Sequence, residues 1–161
     1  MQIEGTYTLQ AEPEEVWNCL TDPQTISSAL PGLERLANVG KDRYAFAIQI
    51  RHAPLRGMYT GSATIVAQND PSSCHLKIEE QARAFCCECD IHLTAHNEHT
   101  VVSYQGTLQL GRHEALIPAA QVKATLKVLL QQFFTALTDQ LRAQKEEPVY
   151  IKTLEELYVM P

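Results

Sequence analysis

The sequence predicts an α+β helix-grip fold: a curved antiparallel sheet, two short N-terminal helices, and one long C-terminal helix that encloses a cavity against the sheet. Two changes of period carry this expectation. From Leu33 to Leu110 apolar residues alternate with polar ones and turn signals interrupt them, as in antiparallel strands. After Gly111 the spacing becomes helical, with Val122, Leu126, Leu129, Phe133, Leu137 and Leu141 on one stripe that Leu130 and Phe134 widen. Sheet and helix each own one apolar surface, and laying the helix across the concave side buries both.

Taken in order, Ile3, Gly5, Tyr7 and Leu9 alternate with Glu4, Thr6, Thr8 and Gln10, which predicts an opening strand. Glu12-Pro13-Glu14-Glu15 and Asp22-Pro23 then start two helices, since proline suits a first helical turn and acids there oppose the helix dipole. Pro31-Gly32 ends that region. Val39-Gly40-Lys41-Asp42, Asn69-Asp70-Pro71-Ser72 and His96-Asn97-Glu98-His99 read as hairpin turns. Between the turns, one face collects Tyr44, Phe46, Ile48 and Ile50, then Tyr59, Gly61, Ala63 and Ile65. It continues through Cys74, Leu76, Ile78 and Glu80, then Phe85, Cys87, Cys89, Ile91 and Leu93, then Val102, Tyr104, Gly106, Leu108 and Leu110. The other face is polar, so the sheet should be wet on its outer side.

At 161 residues and 18.0 kDa the chain is sized for one domain, expected over 1–144. Lys145-Glu146-Glu147-Pro148 reads as the end of the long helix. Residues 145–161 then form a tail in which Ile151, Leu154, Leu157 and Tyr158 keep near-helical spacing. A short docking helix, on this domain or a second copy, and a lid or partner peptide all fit that spacing. A 45% hydrophobic and 20% charged composition is globular, and a net charge of −6 argues against a nucleic-acid surface. No apolar run is long enough to cross a bilayer, and Met1 to Gln10 lacks the features of a signal peptide. The five cysteines are odd in number, which favours reduced thiols. A cytoplasmic location is expected, with at most transient contact at the inner face of the membrane.

Catalytic and metal motifs are poorly represented. Cys86-Cys87-Glu88-Cys89-Asp90-Ile91-His92 is the densest candidate for a metal, but on a strand Cys86 and His92 point away from Cys87 and Cys89, so no metal site is expected. His92, His96 and His99 are close in sequence, but two of them, His96 and His99, fall in or beside a turn and read as exposed. His113-Glu114 would need a histidine at 117, where the chain has Ile117. No catalytic residue, cofactor or nucleophile motif is identified.

The predicted concave face is different. Tyr44, Phe46, Ile48, Tyr59, Ile78, Phe85, Tyr104 and Leu108 from the sheet, with Val122, Leu126, Leu129 and Phe133 from the helix, form mostly apolar walls, and Glu80 adds one carboxylate. Such walls with a few polar groups suit a hydrophobic small molecule. Gly57, Gly61 and Gly106 are expected to leave room between sheet and helix. A filled core is the competing arrangement, and Glu80 would be costly to bury without a partner.

The chain resembles the G-subunit family of carbon monoxide dehydrogenase, within the START-like, birch-pollen-allergen-like (SRPBCC) superfamily. The resemblance rests on Ile3-Glu4-Gly5, Ala11-Glu12-Pro13-Glu14-Glu15-Val16-Trp17, Asp22-Pro23 and Leu30-Pro31-Gly32. It continues through Val39-Gly40-Lys41-Asp42-Arg43-Tyr44, Gly57-Met58-Tyr59-Thr60-Gly61, Thr100-Val101-Val102-Ser103-Tyr104 and Gln132-Phe133-Phe134. It implies a helix-grip fold with an internal hydrophobic cavity. It further implies an accessory protein that binds a lipid or quinone-like molecule, serves a molybdenum hydroxylase of the carbon monoxide dehydrogenase type and links that enzyme to the membrane.

The expectation is therefore a non-enzymatic binding module with a hydrophobic small molecule and an oxidoreductase as partners, with peripheral membrane contact and a homodimer left open. Two alternatives stand beside it. One is a cyclase or dehydratase on the same fold with Glu80 as general base. The other is an assembly protein with a filled core and the tail as its docking peptide.

Overall fold

The alternation at the start of the chain sets β1 (Gln2–Leu9), with Ile3 and Leu9 buried and the polar residues outward. A computed structural model describes residues 1–67, 72–111 and 116–159, with side chains as far as Ala143. After β1 come α1 (Pro13–Thr21) and α2 (Pro23–Ala29), each with proline in its first turn as the sequence predicts. Asp22 separates them and caps the second: its carboxylate accepts from the Gln24 N–H at 3.2 Å and from the Thr25 hydroxyl at 2.7 Å.

The strands are β2 (Leu33–Gly40), β3 (Arg43–Ile50), β4 (Gly57–Ala67), β5 (Ser73–Glu80), β6 (Cys86–His96) and β7 (His99–Gln109). With β1 they form one seven-stranded sheet in the order β1-β7-β6-β5-β4-β3-β2, all pairings antiparallel. Asp42 and Asn97 hold positive φ of 56° and 58° at the predicted turns. Most of the turn expected at 69–72 lies outside the described residues.

Register carries the predicted inner face across the sheet. Tyr44 stands opposite Ala63, Ala63 opposite Ile78, Ile78 opposite Cys87, and Cys87 opposite Leu108. The glycines act differently from the expectation. A Cβ at Gly61 would strike the Glu79 carbonyl and come within 2.9 Å of the Glu80 Cα; at Gly106 it would strike the Glu88 carbonyl and approach the Cys89 Cα to 2.7 Å. These two positions admit the neighbouring strand's backbone, which bends the sheet.

The long helix α3 (Ala119–Val159) packs on α2 and β1. Its 41 residues make about 60 Å of helix at the usual rise. It does not end at Lys145–Pro148: the backbone stays helical to Val159. A proline removes one backbone hydrogen bond, and strong helix formers on both sides (Ala143 to Glu147, then Leu154 to Leu157) supply the remainder.

The core has two parts, both beneath α3. Phe133, Phe134, Leu137 and Leu141 meet Leu9 and Ala11, Val16 and Cys19 of α1, Ala29 of α2, Leu93 of β6 and Val102 of β7. Nearer the start of the helix, Val122 meets Ile3, Leu108 and Leu110, with Leu126, Phe85, Cys87 and Tyr104 packed around them.

Candidate functional site

Alternation alone aims Tyr44, Phe46 and Ile48 inward from β3, and the structure places them on the inner face with Ile65 of β4, Leu76 and Ile78 of β5. Every one of these side chains is half-buried. Among the described residues, none belongs to either core cluster. Leu36 of β2, opposite Phe46, completes the set. It escapes a reading by alternation because a register shift between Leu33 and Arg35 breaks the period of two.

The other sequence-predicted residues divide. Leu108, Val122, Leu129 and Phe133 are buried. Phe133 meets Phe134 edge-on at 5.1 Å, and Phe134 stacks on Tyr7 at 4.2 Å. Phe85, Tyr104 and Leu126 are half-buried and edge the second cluster. Tyr59 links that cluster to the half-open face: its ring lies 5.4 Å from Phe85, and its hydroxyl donates to the Leu55 carbonyl at 2.8 Å.

Glu80 faces inward, as expected, with 8% exposure. It has the partner that its burial demands, because one carboxylate oxygen accepts the Ala84 N–H at 2.8 Å. The carboxylate thereby ties down the β5–β6 loop. Sequence patterning could place Glu80 on the face but could not foresee a bond that depends on the loop's path.

The electrostatics of the interior favour neutral groups. Burial, then the nearby Glu80 charge, pushes the Tyr59 phenol above its ordinary value. Tyr7 rises through burial, and Tyr104 through burial first and then Tyr7 and Cys89. Burial is also the main cause that lifts the Cys74 thiol to about 11 and the Cys87 thiol to about 12. Cys89 moves the same way. Protonated thiols of this kind are poor nucleophiles and poor metal ligands.

Cys86 points to the convex side, where its thiol lies 3.3 Å from the Gln109 side-chain oxygen, so the cysteine run divides between faces as predicted. All five cysteines are free. Among the described residues no group of three His, Cys, Asp or Glu side chains is arranged to hold a metal ion. The two turn histidines differ: His96 is exposed, as is His92 on the strand before it, whereas His99 is half-buried with its Nδ1 enclosed and unpartnered. Its strand pairing with His96 brings it down beside the fully buried Thr100. His113-Glu114 lies outside the described residues. No helix among the described residues is long and apolar enough to cross a membrane.

Among the described residues, the inner face sets half-buried apolar side chains beside a few hydrogen-bonding groups. Similar architectures are known. A conserved protein from Geobacillus kaustophilus superposes with a TM-score of 0.81 at 25% identity, covering 88% of this chain and 95% of that one. A START superfamily protein from Mycobacterium smegmatis gives 0.69 at 11% identity, covering 89% and 98%. Ara h 8.0201 gives 0.67 at 12% identity, with the same coverages of 89% and 98%. The latter two establish the fold. A search of curated proteins finds no match. The family model for the G subunit (CoxG) of carbon monoxide dehydrogenase matches residues 5–142. This family and its START-like fold support, in general terms, an accessory role in binding a hydrophobic ligand, and they suggest association with carbon monoxide dehydrogenase, an oxidoreductase. The chain belongs to the CoxG family, the G-subunit family of carbon monoxide dehydrogenase.

Proposed function

We propose that the protein holds a lipid or quinone-like molecule against the inner face of β2–β5, beside α3, as an accessory to a molybdenum hydroxylase of the carbon monoxide dehydrogenase type, without transforming it. The observation that carries this reading is the incomplete packing of Leu36, Tyr44, Phe46, Ile48, Ile65 and Ile78. Apolar side chains left half-exposed on a concave face forgo burial energy of about 25 cal/mol per Å², which a hydrophobic ligand would recover. In this reading Tyr59, Tyr104 and Glu80 would orient its polar end. The same packing speaks against an assembly protein with a filled core.

Glu80 also bears on the enzyme alternative. A carboxylate oxygen engaged by the Ala84 N–H has a structural task, which favours a binding role over general-base catalysis. The test is native mass spectrometry of freshly purified protein, followed by organic extraction. A stoichiometric quinone, isoprenoid or fatty acid is expected. Protein that is empty, and that gains no thermal stability from a panel of such molecules, would overturn the reading. Turnover of a candidate substrate that is lost in Glu80→Gln would replace it by the enzymatic one.

A further inference from the structure

The apolar inner face leads up to a carboxylate. Register sets Leu36, Phe46, Gly61 and Glu80 in one row across β2, β3, β4 and β5, so the half-buried side chains of Leu36 and Phe46 share their row with Glu80. Gly61, directly opposite Glu80, brings no side chain to meet it. Tyr59 lies on the same face two residues before Gly61, with its ring 5.4 Å from that of Phe85.

Glu80 is 8% exposed, and a carboxylate at that depth is ordinarily paired with a cation or surrounded by donors. Among the described residues it has neither. The ion pairs found there, His75 with Asp90 and Lys77 with Glu79 and Glu88, lie on the convex face and leave Glu80 out. Its side chain accepts one hydrogen bond, from the Ala84 N–H at 2.8 Å, although the two oxygens of a carboxylate can accept about four. Tyr59 is near enough for the Glu80 charge to add to burial in pushing its phenol up. Its hydroxyl proton is already given to the Leu55 carbonyl at 2.8 Å, so it does not serve the carboxylate. This corner of the face therefore holds a negative charge and unused acceptor capacity.

The polar end of a bound molecule would meet that charge in a poorly hydrated place. A hydroxyl or ammonium group donates into the open lone pairs, and hydrogen bonds to a charged acceptor are the stronger kind. A carboxylate would instead set like charge against like, which is costly where water is excluded. We propose that Glu80 makes the inner face selective for apolar molecules whose polar end donates a hydrogen bond, as in an alcohol, phenol or amine, and selective against fatty acids. The inference rests on the binding reading above and narrows it. An isoprenoid alcohol or the dihydroxy form of a quinone belongs to the class, and a carboxylic acid does not.

Calorimetric titration of the full chain at neutral pH with decanol, decylamine, methyl decanoate and decanoate tests it, since these probes share one apolar chain and differ at the polar end. Decanol and decylamine are expected to bind. Methyl decanoate, which only accepts, should bind roughly tenfold more weakly than decanol, and decanoate roughly a hundredfold more weakly. Glu80→Gln keeps an oxygen for the Ala84 N–H and removes the charge, so it should recover most of the decanoate binding. Glu79→Gln makes the same change of net charge on the convex face and should leave the order of the probes unchanged, which separates a local effect from that of a chain with a net charge of −6. Circular dichroism checks that both variants are folded. Decanoate or its methyl ester binding as tightly as decanol, or the original order persisting in folded Glu80→Gln, would overturn the selectivity and leave the binding reading standing. Binding of none of the probes would overturn both.

Discussion

The two halves of the inner face use the same alternation of residues and reach different packing. Toward β1, β7 and β6, the side chains of Leu9, Val102 and Leu93 are buried under α3. Toward β2, β3 and β4, Leu36, Phe46 and Ile65 are equally apolar and remain half-buried. The difference comes from where the helix lies, on β1 and α2. One half therefore stabilises the fold, while the other, among the described residues, leaves apolar surface partly uncovered.

Truncation should separate the halves most sharply. Leu137 is 0% exposed, and Leu137→Ala should cost about 2–5 kcal/mol in denaturant unfolding, from lost burial and the cavity left behind. Phe46→Ala should cost about 1 kcal/mol, in line with partial burial, while abolishing retention of the co-purifying molecule. Comparable losses at the two sites would remove the distinction between a packed and an open half.

The bend comes next in size. Gly106→Ala places a methyl group against the Glu88 carbonyl and the Cys89 backbone, so a loss of roughly 1–3 kcal/mol is expected. Gly40→Ala, with only the Arg43 Cβ 3.9 Å away, provides the mild comparison. If both substitutions are equally mild, the close strand approach does not matter to stability.

Glu80 sharpens the boundary between the halves. Glu80→Ala leaves the Ala84 N–H without its acceptor and should cost about 1–3 kcal/mol. Glu80→Gln keeps an oxygen in place and should recover most of that loss, as thermal melting can check.

A smaller effect should appear in alkali. The Cys74 and Cys87 thiols are raised in the folded protein from an ordinary 9.0 to about 11 and about 12. Their contribution is fully present below pH 9 and is lost as pH rises through the folded values, because the unfolded chain releases these protons first. Unfolding free energy should thus decline between about pH 9 and 12, and Cys74→Ala with Cys87→Ala should flatten the decline. A slope unchanged by the double substitution would assign the decline to other groups, such as Tyr7, Tyr59 and Tyr104.

Much of this was legible in the sequence because its signals are local. Period two from Tyr44 to Ile48 placed those residues on one face, and the proline positions started both short helices. Two features were not legible for equally definite reasons. Leu36 was hidden by a bulge that resets the alternation, and the helix continued past Pro148 because flanking helix formers outweighed one missing donor.

By itself the sequence determined the elements, their order and the apolar face of each, since these follow from the period at which side chains recur along one strand or helix. Only the tertiary structure decided how far the face was covered, which partner Glu80 found, and that Gly61 and Gly106 admit neighbouring strands. Those outcomes depend on where segments distant in the chain come to rest. A pattern of residues fixes the direction of a side chain, but what it meets is set by packing across the whole fold.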